Sequence, residues 1–342
     1  MLRSNIEVAL RRLRVIHRGP WGIFKEASYS MKSNFSTINQ SKANFDEIYT
    51  LDDPRGYFSV LGALDYMIPD IAEPVVRQLL AAMTLARNEK PLVLDVGSSY
   101  GINAAVHRFP LSFNTLRSRY GRREMMALNS AELARLDRNF YAGWPDVGLG
   151  RFIGLDVSEP AVRYAKTAGL VDDGVVANLE HNALSASDAE IIRPANVILS
   201  TGAIGYVTDV TYRRLVQAMA SPPWVISFVL RMFPFEPLAH MLEDFGLVTE
   251  RLAGATFVQR RFRDATECER TLAALTKRGI DTTGFEADGL FHAELYVSRP
   301  KADMRVGRLE DIVTVTSGRN RPVGARYVQV ETDSGTQIAL ES

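Results

Sequence analysis

The chain has 342 residues, with 40 Lys and Arg balanced by 40 Asp and Glu and a 46% apolar content. That is enough core material for one large α/β domain with additions, and a net charge of zero gives no overall field to draw in a nucleic acid. The single cysteine, Cys268, excludes an intrachain disulfide framework or a cysteine-rich zinc site and fits a reducing cytoplasm. No apolar run approaches the length of a membrane span, and charges occupy the place where a secretory signal would have its apolar core.

In chain order, residues 4–18 read as an amphipathic helix that opens on a capping box, Ser4 with Glu7, and carries Leu2, Ile6, Leu10, Leu13 and Ile16 near one face. The breaker cluster 19–22 and a polar Ser/Asn-rich stretch, 28–44, read as loop or cover. Helical spacing fills 45–87, where Pro54 starts a helix and Pro69 breaks the pattern before Val75, Val76, Leu79, Leu80 and Met83 resume it. Residues 1–88 are therefore expected to be a helical N-terminal extension.

From residue 89 to 300 strands alternate with helices. Strands are expected at 92–96, 151–156, 174–178, 195–200, 223–230, 254–262 and 292–298, with helices at 101–108, 159–168, 185–193, 209–219, 236–245 and 265–278. Such alternation predicts an α/β fold, a seven-stranded mostly parallel sheet with helices on both faces, and the last strand entering antiparallel at the edge. The link between the first two strands is abnormally long. It holds a helical insert, 107–150, whose size and position predict a lid or an oligomer contact. Residues 301–342 read as a small β appendage with strands at 311–316, 325–331 and 336–340 joined by Gly-containing turns.

Four features carry chemistry. Residues 91–105, PLVLDVGSSYGINAA, run from a strand into a Gly-rich turn and a helix. Gly97 and Gly101 permit left-handed backbone or a close ligand approach, and the amides that follow suit a polar ligand. Residues 151–160 form an apolar strand ending in Asp156, then Val157 and a helix start. Residues 175–180 form a strand ending in Asn178, Leu179 and Glu180, and residues 195–205 a strand opening into the small-residue loop that begins Ser200, Thr201, Gly202.

This ordered set resembles the class I S-adenosylmethionine-dependent methyltransferases, over roughly residues 90–300. The resemblance implies a Rossmann-like fold and S-adenosyl-L-methionine as cofactor, with S-adenosyl-L-homocysteine as product. It implies that Asp95 helps hold the methionyl end, that Gly97, Ser98, Ser99 and Gly101 line the loop, and that Asp156 accepts from both ribose hydroxyls with Val157 beside it. Asn178 and Leu179 would flank the adenine, and Thr201 the strand-four side. Ser99 departs from the pattern, standing where the family has its middle glycine. Asp95 as a turn cap, Asp156 as a helix N-cap and Asn178 as a turn residue are the plainer alternatives. The rival is an NAD(P)-dependent oxidoreductase, but its three-glycine spacing is missing and the second-strand acid comes far too late. A non-catalytic cofactor-binding scaffold, with Ser99 marking lost activity, is a third reading.

Within the resemblance, absences narrow the acceptor. The fourth-strand loop lacks the Pro-Pro run of amino-methylating enzymes, Cys268 stands on a late helix away from any cytosine-C5 role, and only Asp209 and Glu236 are near a catechol-type magnesium position, so no metal is expected. A small-molecule acceptor, such as a secondary metabolite, is left as the default, with no nucleic acid as partner. His240 and Tyr206 are the candidate bases, with His292 behind them, and Tyr57, Tyr206 and Arg231 the candidate acceptor contacts. Tyr49, Tyr57, Phe58 and Tyr66 are candidates to roof the pocket, where aromatic rings suit a sulfonium cation. The added terminal elements favour a homodimer.

Overall fold

The computed structural model describes residues 46–315, 318–319 and 326–340. The expected helix at 4–18 and the stretch at 19–44 lie outside the described residues.

Three helices precede the sheet: α1 (Asp46–Tyr49), α2 (Arg55–Gly62) and α3 (Ile68–Arg87). Pro69 does not interrupt α3 but sits in its first turn, where a missing backbone N–H costs nothing. Then come β1 (Leu92–Val96), α4 (Ile102–Arg108), the insert helices α5 (Phe113–Tyr120), α6 (Arg123–Met126) and α7 (Ser130–Ala142), β2 (Arg151–Asp156), α8 (Glu159–Thr167), β3 (Asp173–Val176), α9 (Ala186–Ile192), β4 (Val197–Ser200), α10 (Asp209–Ala218), β5 (Trp224–Leu230) and α11 (Glu236–Glu243). The chain continues through β6 (Leu247–Arg251), β7 (Ala255–Arg261), α12 (Ala265–Lys277), β8 (Leu290–Pro300), α13 (Leu309–Ile312), β9 (Gly318–Arg319), β10 (Arg326–Thr332) and β11 (Gly335–Leu340). Among the described residues no helix is long and apolar enough to cross a membrane.

The described strands form one sheet in the order β3-β2-β1-β4-β5-β8-β7-β11-β10-β9, with β6 also paired to β8. β1 to β5 run parallel and β8 runs antiparallel to β5, β6 and β7. All seven residues of β5 are buried, as expected of a strand covered on both faces. The strand order reverses between β1 and β4, and the crevice beyond their carboxyl ends is where open α/β sheets bind ligands.

Four expectations need correction. β8 is internal rather than at the edge, because β7 pairs along its other side. The tail does not stand apart: β11 adds to β7 in parallel, and the β10–β11 hairpin carries the sheet onward. Residues 309–312 are helical, not strand, because the Glu250 carboxylate accepts from Leu309 N (3.0 Å) and Asp311 caps Arg308 N (3.3 Å). β6 went unread because only Leu247 of its five residues is buried, leaving no alternation to detect.

The insert is core, not lid. Phe113, Leu116, Tyr120, Leu133 and Tyr141 are all buried, and the Phe58 ring of α2 stacks on Tyr120 at 4.8 Å. Asp70 of α3 accepts from Phe113 N (2.9 Å). Asp137 of α7, fully buried, pairs with Arg119 and accepts from the Tyr120 (3.0 Å) and Tyr164 (2.5 Å) hydroxyls. That network fastens α5 and α7 to α8. A buried charge held by several donors is well satisfied.

Candidate functional site

The turn after β1 is built from left-handed backbone. Gly97, Ser99 and Gly101 have φ of 74°, 48° and 79°. Glycine takes this conformation freely, and a Cβ at Gly97 would lie 2.8 Å from that of Ala203. Ser99 takes it at a cost of about 1–2 kcal/mol for an L-residue, offset by its amide donating to Asp156 Oδ2 (2.9 Å). The amides of Gly97 and Ser98 both donate to Leu155 O (2.9 and 3.1 Å), stitching the turn to the end of β2. Gly154 on β2 leaves the space that the Ser98 hydroxyl fills.

Two carboxylates lie against this turn. Asp95 is fully buried. Its Oδ1 accepts from Asn103 Nδ2 (2.8 Å), and the same amide reaches Thr201 Oγ1 (3.0 Å) across the switch point. Its Oδ2 is buried with no hydrogen-bond partner among the described residues. Burial pushes the Asp95 carboxyl up to about 7; the Asn103 hydrogen bond opposes this and the neighbouring Asp156 adds to it. Burial also raises Asp156, against the amides that hold it. Asp156 accepts from Ser99 N through one oxygen and from Ser158 N (2.9 Å) through the other, and a carboxylate has further acceptor capacity beyond these. Asp156 is thus not the N-cap of α8. Ser158 is, its Oγ accepting from Ala161 N (3.3 Å).

Ser158 has a second task. Its hydroxyl donates to Tyr49 O (2.6 Å), and the Tyr100 hydroxyl bonds Ile48 O (2.9 Å) and Leu51 O (2.7 Å). The segment around α1 is thereby strapped over the turn. Ser158→Ala removes both bonds and is expected to lower stability by about 1 kcal/mol, the usual worth of an N-cap, measured as the urea midpoint; an unchanged midpoint would leave the cap without weight.

These parts open into one cavity of about 490 Å³, a size suited to a small ligand. Its wall includes Gly97, Ser98, Ser99, Asp156, Val157, Asn178, Leu179, Thr201, Tyr57 and Tyr206. Asp95 lies beneath, reaching the cavity through Asn103, and Gly101 is the left-handed N-cap of α4. Asn178 Oδ1 accepts from Glu180 N (3.2 Å), and Glu180 accepts from Thr208 N (2.8 Å) and Thr211 Oγ1 (2.7 Å), which fastens the β3 loop to the start of α10.

Three candidates lie elsewhere. His240 is exposed on α11 and does not line the cavity. Arg231 is engaged with Glu286 (2.8 Å) and lies 4.1 Å over the Phe285 ring. His292 is buried on β8 with Nδ1 on Thr256 Oγ1 (3.1 Å), and burial lowers it to about 4, so it stays neutral. Among the described residues no group of three His, Cys, Asp or Glu side chains could hold a metal ion.

Of the proposed roof, Tyr49, Tyr57 and Tyr66 line the cavity, while Phe58 packs inward on Tyr120. Burial pushes Tyr66 up to about 12 and Tyr57 well above its ordinary value, so both remain hydroxyls at neutral pH. Asn103, Gln259 and Arg260 also line the cavity, and sequence reasoning missed them. Asn103 was within reach, standing in the first turn after the Gly-rich loop. Gln259 and Arg260 carried no signal, since their placement depends on how β7 pairs.

No family model and no curated protein sequence matches the chain. Among solved structures it is similar to the plantazolicin methyltransferase BpumL in complex with SAH, at 10% identity over 82% of this chain and 100% of that one, with a TM-score of 0.36. Magnesium protoporphyrin IX methyltransferase (ChlM) from Synechocystis PCC 6803 with bound SAM gives 12% identity over 79% and 93%, TM-score 0.34. The [4+2]-cyclase SpnF gives 12% over 69% and 86%, TM-score 0.33. None of the three reaches 25% identity or a TM-score of 0.5.

Proposed function

We propose that this protein transfers a methyl group from S-adenosyl-L-methionine to a small-molecule acceptor. One observation carries the reading: two carboxylates, the buried Asp95 with an unpartnered oxygen and the half-buried Asp156, flank a left-handed Gly-Ser turn at the switch point of a parallel sheet. A nucleoside with a cationic amino-acid arm matches that donor set. The unpartnered Asp95 Oδ2 suits the arm, directly or through water, because a positive charge there relieves the cost of ionising a buried carboxyl. The further acceptor capacity of Asp156 suits the ribose hydroxyls. Leu179 offers an apolar face and Asn178 an amide to the adenine.

When bound, the sulfonium supplies an electrophilic methyl, and its transfer to an acceptor lone pair leaves a neutral thioether. The chain's residues then orient and exclude water, which together supply much of the rate in a displacement of this kind. Tyr49, Tyr57 and Tyr66 wall the compartment beside the turn. They remain protonated and do not act as bases. Tyr206, exposed on the β4 loop and also lining the cavity, is the candidate hydroxyl to relay an acceptor's proton to solvent water.

Calorimetric titration separates this reading from an oxidoreductase. S-Adenosylhomocysteine is expected to bind at micromolar concentration and NADH to give no heat; the reverse pattern would overturn the assignment.

A further inference from the structure

β7 does not run straight along β8. Its register shifts so that Val258 pairs with His292 and Arg260 with Phe291, which makes Gln259 the extra residue of a bulge. The Gln259 carbonyl turns away from β8 and accepts instead from Met67 N at the head of α3 (2.9 Å). Successive side chains of an unbroken strand point to opposite faces. Here the bulge re-aims them, and Gln259 and Arg260 both reach the cavity wall.

The two side chains are in opposite condition. Arg260 is engaged: its terminal nitrogens donate to both Glu267 oxygens (2.7 and 2.9 Å), with both groups buried, so this wall carries no net charge. Gln259 is only 5% exposed, and its hydrogen bond to Met67 N uses the backbone carbonyl, not the carboxamide. The loop opposite leaves room for it, since a Cβ at Gly202 would lie 2.5 Å from Gln259 Nε2. The Gln259 amide atoms are not among the buried unpartnered ones and stay open to the cavity, where a ligand's polar groups can replace water.

We infer that Gln259 recognises the methyl acceptor, and that the acceptor is an uncharged planar ring bearing an N–H or O–H donor beside a carbonyl, as in a cyclic amide. This rests on the cofactor reading above. A carboxamide presents an acceptor and donors in one plane, and a cyclic amide returns the complementary pair, so two parallel hydrogen bonds form. Tyr49, Tyr57 and Tyr66 supply ring faces and edges for the rest of such a molecule. The charge compensation of Arg260 by Glu267 leaves no cation on this wall for a carboxylate acceptor.

The test uses protein saturated with S-adenosylhomocysteine and two probes, 2-quinolone and N-methyl-2-quinolone, titrated by ligand-observed NMR. The wild type is expected to bind 2-quinolone at least tenfold more tightly than the N-methyl derivative, which lacks the donor. Gln259→Met, similar in length and without hydrogen bonds, is expected to abolish that preference while S-adenosylhomocysteine affinity stays within twofold. Gln259→Leu, which likewise has no hydrogen-bonding atom, serves if the Met variant does not fold and is expected to lose the preference too. Failure of 2-quinolone to bind, equal affinity for the two probes, a preference that survives in the variants, or loss of S-adenosylhomocysteine binding with Gln259→Met would each overturn the assignment. If the wild type does not take S-adenosylhomocysteine, the cofactor reading fails separately, and the two probes titrated alone still decide the role of Gln259.

Discussion

Asp156→Ala is expected to weaken S-adenosylhomocysteine binding at least a hundredfold. A carboxylate accepting from both ribose hydroxyls makes two charge-assisted hydrogen bonds, each worth about 1.5 kcal/mol or more, and about 1.4 kcal/mol is a factor of ten. The same oxygens accept from Ser99 N and Ser158 N at 2.9 Å, so the substitution also strips acceptors from the turn that shapes the site. Asp156→Asn keeps one acceptor oxygen and is expected to fall between, with about a tenfold loss. Isothermal titration reads both, and a wild-type affinity in Asp156→Ala would remove the ribose role from this residue.

The second large effect is one of pH. Burial sets the Asp95 carboxyl at about 7 in the folded protein. A cationic ligand arm beside it favours the ionised form and lowers that value. Binding therefore releases a proton below neutrality, and S-adenosylhomocysteine affinity is expected to rise about tenfold from pH 6 to pH 8, the factor by which the ionised fraction grows for a group titrating near 7. The sign for stability runs the other way. The folded value lies above the unfolded one, so between about pH 4 and 7 the folded protein holds the extra proton, and the contribution of this group to stability declines as pH rises through that window. Asp95→Asn cannot titrate. It is expected to bind weakly, with an affinity flat across pH 6–8, and to lose this component of the pH–stability slope. A wild-type affinity independent of pH would contradict the placement of the cationic arm at Asp95.

What could be read from the sequence was local. Asp95, Gly97 and Asp156 each stand where an apolar strand meets a turn, and the chemistry of that junction is written within a few residues. The helical spacing of Leu133, Leu136 and Phe140 likewise gave α7 correctly, but not that Leu133 is buried while Leu136 is exposed. That distinction belongs to Asp137, which three partners from α5 and α8 draw inward. The insert was mistaken for a lid for the same reason: periodicity shows a face without showing what covers it. β8 read clearly as a strand, yet its internal position is set by the pairing of β7, which no property of residues 290–300 announces. Gln259 is the sharpest case. Its neighbours read as strand, and only the register shift against β8 and the bond to Met67 turn it into the cavity. His240 and Arg231 were drawn in by sequence proximity to the end of β5; α11 carries the first to the surface, and Glu286 holds the second away from the site.

A crystal structure of the protein with S-adenosylhomocysteine is the most direct measurement. It is expected to show the ribose hydroxyls on the Asp156 carboxylate, the adenine between Leu179 and Asn178, and the amino-acid arm over the 97–101 turn toward Asp95. A nucleoside bound outside this cavity, or seated in it with the ribose away from Asp156, would contradict the proposed function.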